Sequence, residues 1–162
     1  MSRTPSTPAA ARRYWLVKSE PDVFSFDDLM AAPKRTTPWN GIRNFVARNS
    51  LREMKQGDEV FFYHSSTQPP AIVGICEVAR EAYPDDTAFD AKSEGFDAKS
   101  DPAKPKWFMV DLRAVKPLPR PVTLAELKSR KELAGMTLLR IGRLSVTPVT
   151  ATEWETVLGM AR

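Results

Sequence analysis

Apolar positions enter the chain abruptly at Tyr14. In RYWLVKSEP a short hydrophobic run predicts a strand over 13–18, with Trp15, Val17 and Ser19 on one face and Tyr14, Leu16, Lys18 and Glu20 on the other. Pro21 lacks an amide hydrogen and ends the ladder. Ser25 is placed to cap a short helix over 27–32, with acids in its first turn. PKRTTPWNG (33–41) reads as loop from its prolines and glycine. From Arg43 to Met54 the period is helical: Ile42, Val46, Ala47, Leu51 and Met54 fall on one half of the wheel, Arg48 and Arg52 on the other, and Gly57 supplies the stop.

Strands follow at 58–65 and 71–83, the first apolar on both faces and the second nearly so, which suits a closed barrel or a sheet covered by helices. Residues 84–105 are polar and contain the repeat FDAKS-EG-FDAKS (89–100), too short for a solenoid and expected to be a flexible duplication. A third strand is predicted over 106–115, and RLSVTPV (143–149) looks extended. Thr123 with Glu126, and Thr150 with Glu153, form capping boxes for helices running to about Arg130 and Met160. Strands and helices alternate without a βαβ rhythm, so an α+β fold around a mostly antiparallel, curled sheet is expected.

Composition narrows the function. At 162 residues and 42% hydrophobic content the chain suits one domain, placed at 13–162 behind a disordered basic tail at 1–12. No apolar stretch approaches the roughly 18 residues that would cross a membrane, and 1–13 lack an apolar leader core; a soluble, cytoplasmic monomer is expected. The one cysteine, Cys76, lies in AIVGICEV and reads as a core thiol. One histidine and one cysteine cannot build a Cys/His zinc site, and EF-hand spacing is missing, so no metal is expected. Phosphate-loop, dinucleotide-binding and nucleophile-elbow motifs are also missing, which leaves no expected cofactor and either binding or an enzyme without an obvious motif. The segment 85–101 holds six acids against two lysines; a chain of net charge +4 therefore carries +8 elsewhere, suited to a polyanion.

Candidate chemistry gathers where predicted strands end. Lys18 and Ser19 diverge from one another, which argues against a Ser/Lys nucleophile pair. Trp39 and Asn40 sit in a loop bounded by Pro38 and Gly41. Tyr63, His64 and Ser65 end one strand, and Arg143 and Ser145 interrupt another apolar run. Together these segments offer an aromatic wall, hydroxyls, an amide and arginines, the groups that stack on and hydrogen-bond a flat heterocycle.

The blocks KSEP, WNGIRNFVARNSLREMKQGDEVFFYHS, IVGICEV with YPD, KWFMVDL and RLSVTPV, in this order, closely resemble the EVE domain family over about 13–160. The resemblance implies a PUA-like fold, a curled β-barrel flanked by helices and related to YTH and ASCH domains. It also implies a non-enzymatic pocket for a modified base in DNA or RNA. It marks Lys18, Ser19 and Glu20; Trp39, Asn40 and Gly41; Arg43 and Asn44; Tyr63, His64 and Ser65; and Arg143 and Ser145 as ligand-binding. Ile42 and Phe45 stand where valine and tyrosine are expected in many members. On this reading Trp39 stacks on the base from a loop with few core contacts, Arg43 occupies the first helical turn, and Arg48 and Arg52 hold the nucleic-acid backbone. Two alternatives remain open: an ASCH-like hydrolase of a modified nucleoside, using Lys18, Glu20 and His64, and a protein-interaction domain with a basic face.

Overall fold

A computed structural model describes residues 12–162, so the tail expected at 1–12 lies, apart from Arg12, outside the described residues. The elements are β1 (Tyr14–Ser19), α1 (Phe26–Ala31), β2 (Thr36–Pro38), α2 (Phe45–Glu53), β3 (Glu59–His64), β4 (Ala71–Pro84), β5 (Phe108–Thr123), α3 (Leu124–Lys128), α4 (Thr137–Arg140), β6 (Val146–Val149) and α5 (Ala151–Met160). All six strands form one sheet in the order β2-β5-β4-β3-β1-β6, antiparallel except for the β1–β3 pair.

The sheet curls but does not close, which corrects the expected barrel. Its edge strands β2 and β6 do not pair. Helix α2 packs against both β5 and β6, strands four places apart in the sheet order, so the helix fills the opening that hydrogen bonds would otherwise close. Its buried stripe is Ala47, Ser50, Leu51 and Met54, an i, i+3, i+4, i+7 set; Val46, expected on that face, is 57% exposed. Small Ser50 takes the inward position that a hydrophobicity count passes over.

Strand alternation splits the interior in two. Trp15, Val17, Val60 and Phe62 join α1, α2 and Trp39 in one core, while Leu16, Phe61 and Tyr63 join α3, α4 and α5 in the other. Cys76 lies in the first core, where burial pushes its thiol pKa far up, as befits an inert core residue. The three capping boxes at Ser25/Asp28, Thr123/Glu126 and Thr150/Glu153 all form.

Three segments depart from expectation. Thr36–Pro38, read as loop, pairs with Asp111–Arg113 as an edge strand. The third strand runs to Thr123 rather than stopping at 115, because Pro119 and Pro121 sit in a bulge between the Gly74–Pro117 and Ile72–Val122 pairs. There β2 no longer pairs, so missing amide hydrogens cost no ladder bonds. The FDAKS duplication, expected without regular structure, forms a pair of matching turns: Asp90 Oδ1 accepts from Lys92 N (2.9 Å) and Asp97 Oδ1 from Lys99 N (3.0 Å). Asp97 also accepts from the Trp107 indole at 2.7 Å, which fastens the loop to the start of β5.

The fold makes two stability predictions. Asp58, 1% exposed, accepts hydrogen bonds from the Trp15 indole (3.0 Å), Lys55 N (3.0 Å) and Arg13 N (3.2 Å). Asp58→Ala strands these donors, the indole among them buried, and should lower unfolding free energy by about 2–4 kcal/mol in urea titrations. A Cβ on Gly74 would stand 2.5 Å from the Phe26 ring. Gly74→Ala should therefore cost about 1–3 kcal/mol by the same measurement.

Candidate nucleic-acid interface

The KSEP segment builds a wall because the chain turns tightly after β1. Glu20 O accepts from the amides of Val23 and Phe24, each at 2.9 Å, and Ser19 Oγ donates to Phe24 O at 2.5 Å. This turn brings Phe24 edge-on to Trp39, with ring centroids 6.4 Å apart. Lys18 Nζ donates to Gly142 O at 2.6 Å, and partial burial draws its pKa below the ordinary lysine value. Glu20 is exposed, with Ser66 Oγ 3.4 Å from its carboxylate.

Trp39 belongs to the first core rather than to a free loop. It is only 8% exposed, its amide donates to Val110 O at 2.7 Å, and its ring meets Phe62 edge-on at 5.6 Å. The pairing of β2 with β5 carries it inward. Its remaining open surface faces a cavity of about 580 Å³ that Lys18, Ser19, Glu20 and Asn40 also line. Sequence reasoning placed these five together correctly in space. It missed Phe24, Thr37, Pro38 and Ile42, further lining residues that lie in the same segments. Val23 was missed as well, although a valine in a polar turn, here 77% exposed, is a legible signal.

A second cavity of about 520 Å³ adjoins the first, sharing Val23 and Asn40 and extending past Gly41 and Arg43 to Thr87 and Gly95. Its floor is organised by Asp85, which is fully buried. Asp85 accepts from Gly41 N (2.8 Å), Arg43 Nη1 (3.0 Å), Thr87 N (2.9 Å) and Thr87 Oγ1. Burial pushes the carboxyl pKa up; the hydrogen bonds from Thr87, Gly41 and Arg43 outweigh it, and the pKa lies below the ordinary range. Gly41 has φ +82°, a left-handed conformation that favours glycine, which lets its amide turn toward Asp85.

Arg43 is corrected accordingly. It precedes the helix instead of occupying its first turn, and its guanidinium also donates to Gly95 O at 2.6 and 2.8 Å and to Thr87 Oγ1 at 3.1 Å. It therefore clamps the 85–95 loop. Asn44 is the helix N-cap, accepting from Ala47 N at 3.0 Å. Tyr63 is buried in the opposite core, where desolvation raises its pKa. Ser65 N donates to Ser19 O, and Ser145 O accepts from Lys18 N, so both act through their backbones. Arg143 is exposed in the turn before β6. None of Asn44, Tyr63, His64, Ser65, Arg143 and Ser145 lines either cavity. Arg48 donates to Lys106 O at 2.9 Å, and Arg52 lies exposed over Phe108. No cluster of three metal-ligating side chains occurs among the described residues, and no helix there is long and apolar enough to cross a membrane.

Comparison with known proteins gives the same outline. The EVE domain profile matches residues 13–160. Human thymocyte nuclear protein 1 is 43% identical over 164 residues, covering 91% of this chain and 73% of that protein. A crystal structure of human THYN1 in complex with 5-methylcytosine-containing DNA superposes with TM-score 0.90 at 42% identity, covering 93% of this chain and 98% of that one. The YTH domain of the Zygosaccharomyces rouxii MRB1 protein, solved with N6-methyladenosine RNA, shares the fold at TM-score 0.55 and 16% identity, over 100% of this chain and 94% of that one.

His64 yields a pH prediction. Its Nε2 accepts from Phe26 N at 3.1 Å, which requires the neutral ring, and burial lowers its pKa against a smaller upward pull from Asp27. The unfolded chain thus takes up this proton at higher pH than the folded one. The stabilisation is complete above about pH 6.5 and is lost as pH falls from there through the folded pKa. Urea titrations should show stability declining as pH falls below about 6.5, and His64→Gln should flatten that decline.

Proposed function

The chain belongs to the EVE domain family, and on that premise we propose that it binds DNA carrying a modified cytosine, taking the extracted base into the cavity between the end of β1 and the Trp39–Ile42 segment. The observation that carries this reading is the cavity itself. At about 580 Å³ it lies in the usual range of small-molecule sites, and its lining combines the aromatic rings of Trp39 and Phe24 with the polar side chains of Lys18, Ser19, Glu20 and Asn40. A cytosine edge presents an amine donor beside ring acceptors. Glu20 can accept from the amine, and Asn40, exposed and able both to donate and to accept, can meet the rest. The DNA complex of human THYN1, a chain 42% identical to this one, supports DNA as the polymer.

Binding without turnover is favoured by how the candidate acid–base groups are engaged. His64 spends Nε2 on the Phe26 amide, and Lys18 spends its ammonium on the Gly142 carbonyl. His64 does not line the cavity, and Lys18, which does, already holds a carbonyl; Glu20 alone of the three candidates is open to a ligand there.

Because Trp39 also supports the core, its removal tests folding and binding at once; Asn40 is the cleaner probe. We expect fluorescence anisotropy to show preference for an oligonucleotide with one 5-methylcytosine over its unmodified twin. Asn40→Ala should reduce that preference about fivefold or more without lowering the melting temperature. Trp39→Phe should weaken binding and cost stability together. Equal affinity of the unchanged chain for both strands would refute the reading, and release of an altered base, followed by mass spectrometry, would move it to the hydrolase class.

A further inference from the structure

Beyond the cavity, along the solvent side of α2, cations and aromatic rings are laid against one another. Phe45, 53% exposed, stacks on Trp107 with centroids 4.7 Å apart and planes 22° from parallel. The Arg48 guanidinium lies 4.9 Å from the Phe45 centroid, held by bonds to Lys106 O (2.9 Å) and Asn49 Oδ1 (2.7 and 3.1 Å). One turn further, the Arg52 guanidinium lies 4.8 Å from the Phe108 centroid.

These arginines differ from those that the fold uses in ion pairs. Arg12, Arg13, Arg43, Arg113, Arg120 and Arg130 each have a carboxylate within salt-bridge distance. Arg48 and Arg52 have none among the described residues and rest on ring faces instead. Neither charge is therefore neutralised by a carboxylate, and hydrogen bonds hold the Arg48 guanidinium in place. The stripe is also continuous with the cavities: Ile42 lines the first, Arg43 lines the second, and the Arg43 guanidinium lies 5.6 Å from the Trp107 ring that backs Phe45. The nine residues of α2 advance about 14 Å, enough to follow a few nucleotides.

We propose that this stripe binds the DNA strand flanking the extracted base, the neighbouring base packing on the Phe45–Arg48 platform and the phosphates beyond it reaching Arg52. The assignment rests on the cavity receiving the modified base. Bases stack on aromatic rings and guanidinium planes without regard to sequence, and phosphates neutralise cations without reading it. The stripe therefore supplies affinity, and the cavity supplies choice. A platform already backed by Trp107 and a guanidinium already held by a carbonyl lose little freedom on binding.

The test is anisotropy titration of two oligonucleotides, one with a single central 5-methylcytosine and one unmodified, at several salt concentrations. Phe45→Ala should weaken both by about tenfold and keep their ratio. Arg52→Gln, which removes a charge that no hydrogen bond or ion pair of the fold uses, should weaken both and lower the salt slope by about one. With trimmed strands, affinity should rise as nucleotides are added on one side of the modified base and then level off. Variants that bind both strands as tightly as the unchanged chain would overturn the proposal, leaving the surface to a protein partner. A loss of preference in the variants would overturn it as well, since the residues would then belong to base selection. Absence of preference in the unchanged chain is read separately in the same titration; it removes the cavity assignment and the flank assignment with it.

Discussion

Burial of one carboxylate organises the site. Asp85 is wholly excluded from solvent, and its oxygens are taken up by Gly41, Arg43 and Thr87. A carboxylate so placed is strongly unfavourable without donors, so the three partners are bound to it as much as it is to them. Gly41 fixes the exit of the Trp39 segment, Arg43 fixes the entrance to α2, and Thr87 with Gly95 fixes the loop before β5. The two cavities share Asn40, the residue just before Gly41, because both are bounded by segments this one anion gathers. Loss of the Asp85 charge would loosen three chain segments at once.

The open sheet serves the same end. A closed barrel would place strand against strand where α2 now lies; with the helix between β5 and β6, one helix buries a stripe inward and presents cations outward. The inward stripe ends at Met54 and the outward one runs through Arg48 and Arg52. Trp39 couples the levels: its indole closes the first core against Phe62 and its remaining surface lines the cavity. Core and cavity thus share one ring, and a substitution there cannot alter the cavity alone.

How much of this was legible in the sequence depended on the range of the forces involved. Capping boxes are local, and Ser25, Thr123 and Thr150 announced three helices. Period-two alternation told that β3 faces two cores, because Phe61 and Phe62 are both apolar. Arg43 misled because nothing nearby in the sequence shows that its partners are Asp85 and Gly95, 42 and 52 residues away. Trp39 misled because the three-residue strand that carries it inward is defined by its pairing with β5 rather than by its own composition. Tyr63 and His64 were grouped by adjacency, yet neighbouring strand residues point to opposite faces, and so the tyrosine entered one core while the histidine met the start of α1. The KSEP and WNG segments were rightly joined on chemical character; the FYHS and RLSV segments instead brace the first through backbone bonds.

The central claim is that one base occupies the cavity between the end of β1 and Trp39 while its strand runs along α2. The most direct measurement is amide chemical-shift mapping of the isotope-labelled chain titrated with an oligonucleotide carrying one 5-methylcytosine. The account predicts shifts concentrated at residues 18–24 and 37–42, continuing through Phe45, Arg48 and Arg52, with only the first group differing from a titration with the unmodified strand. Shifts centred on α3 to α5, or a first group indifferent to the methyl group, would contradict it.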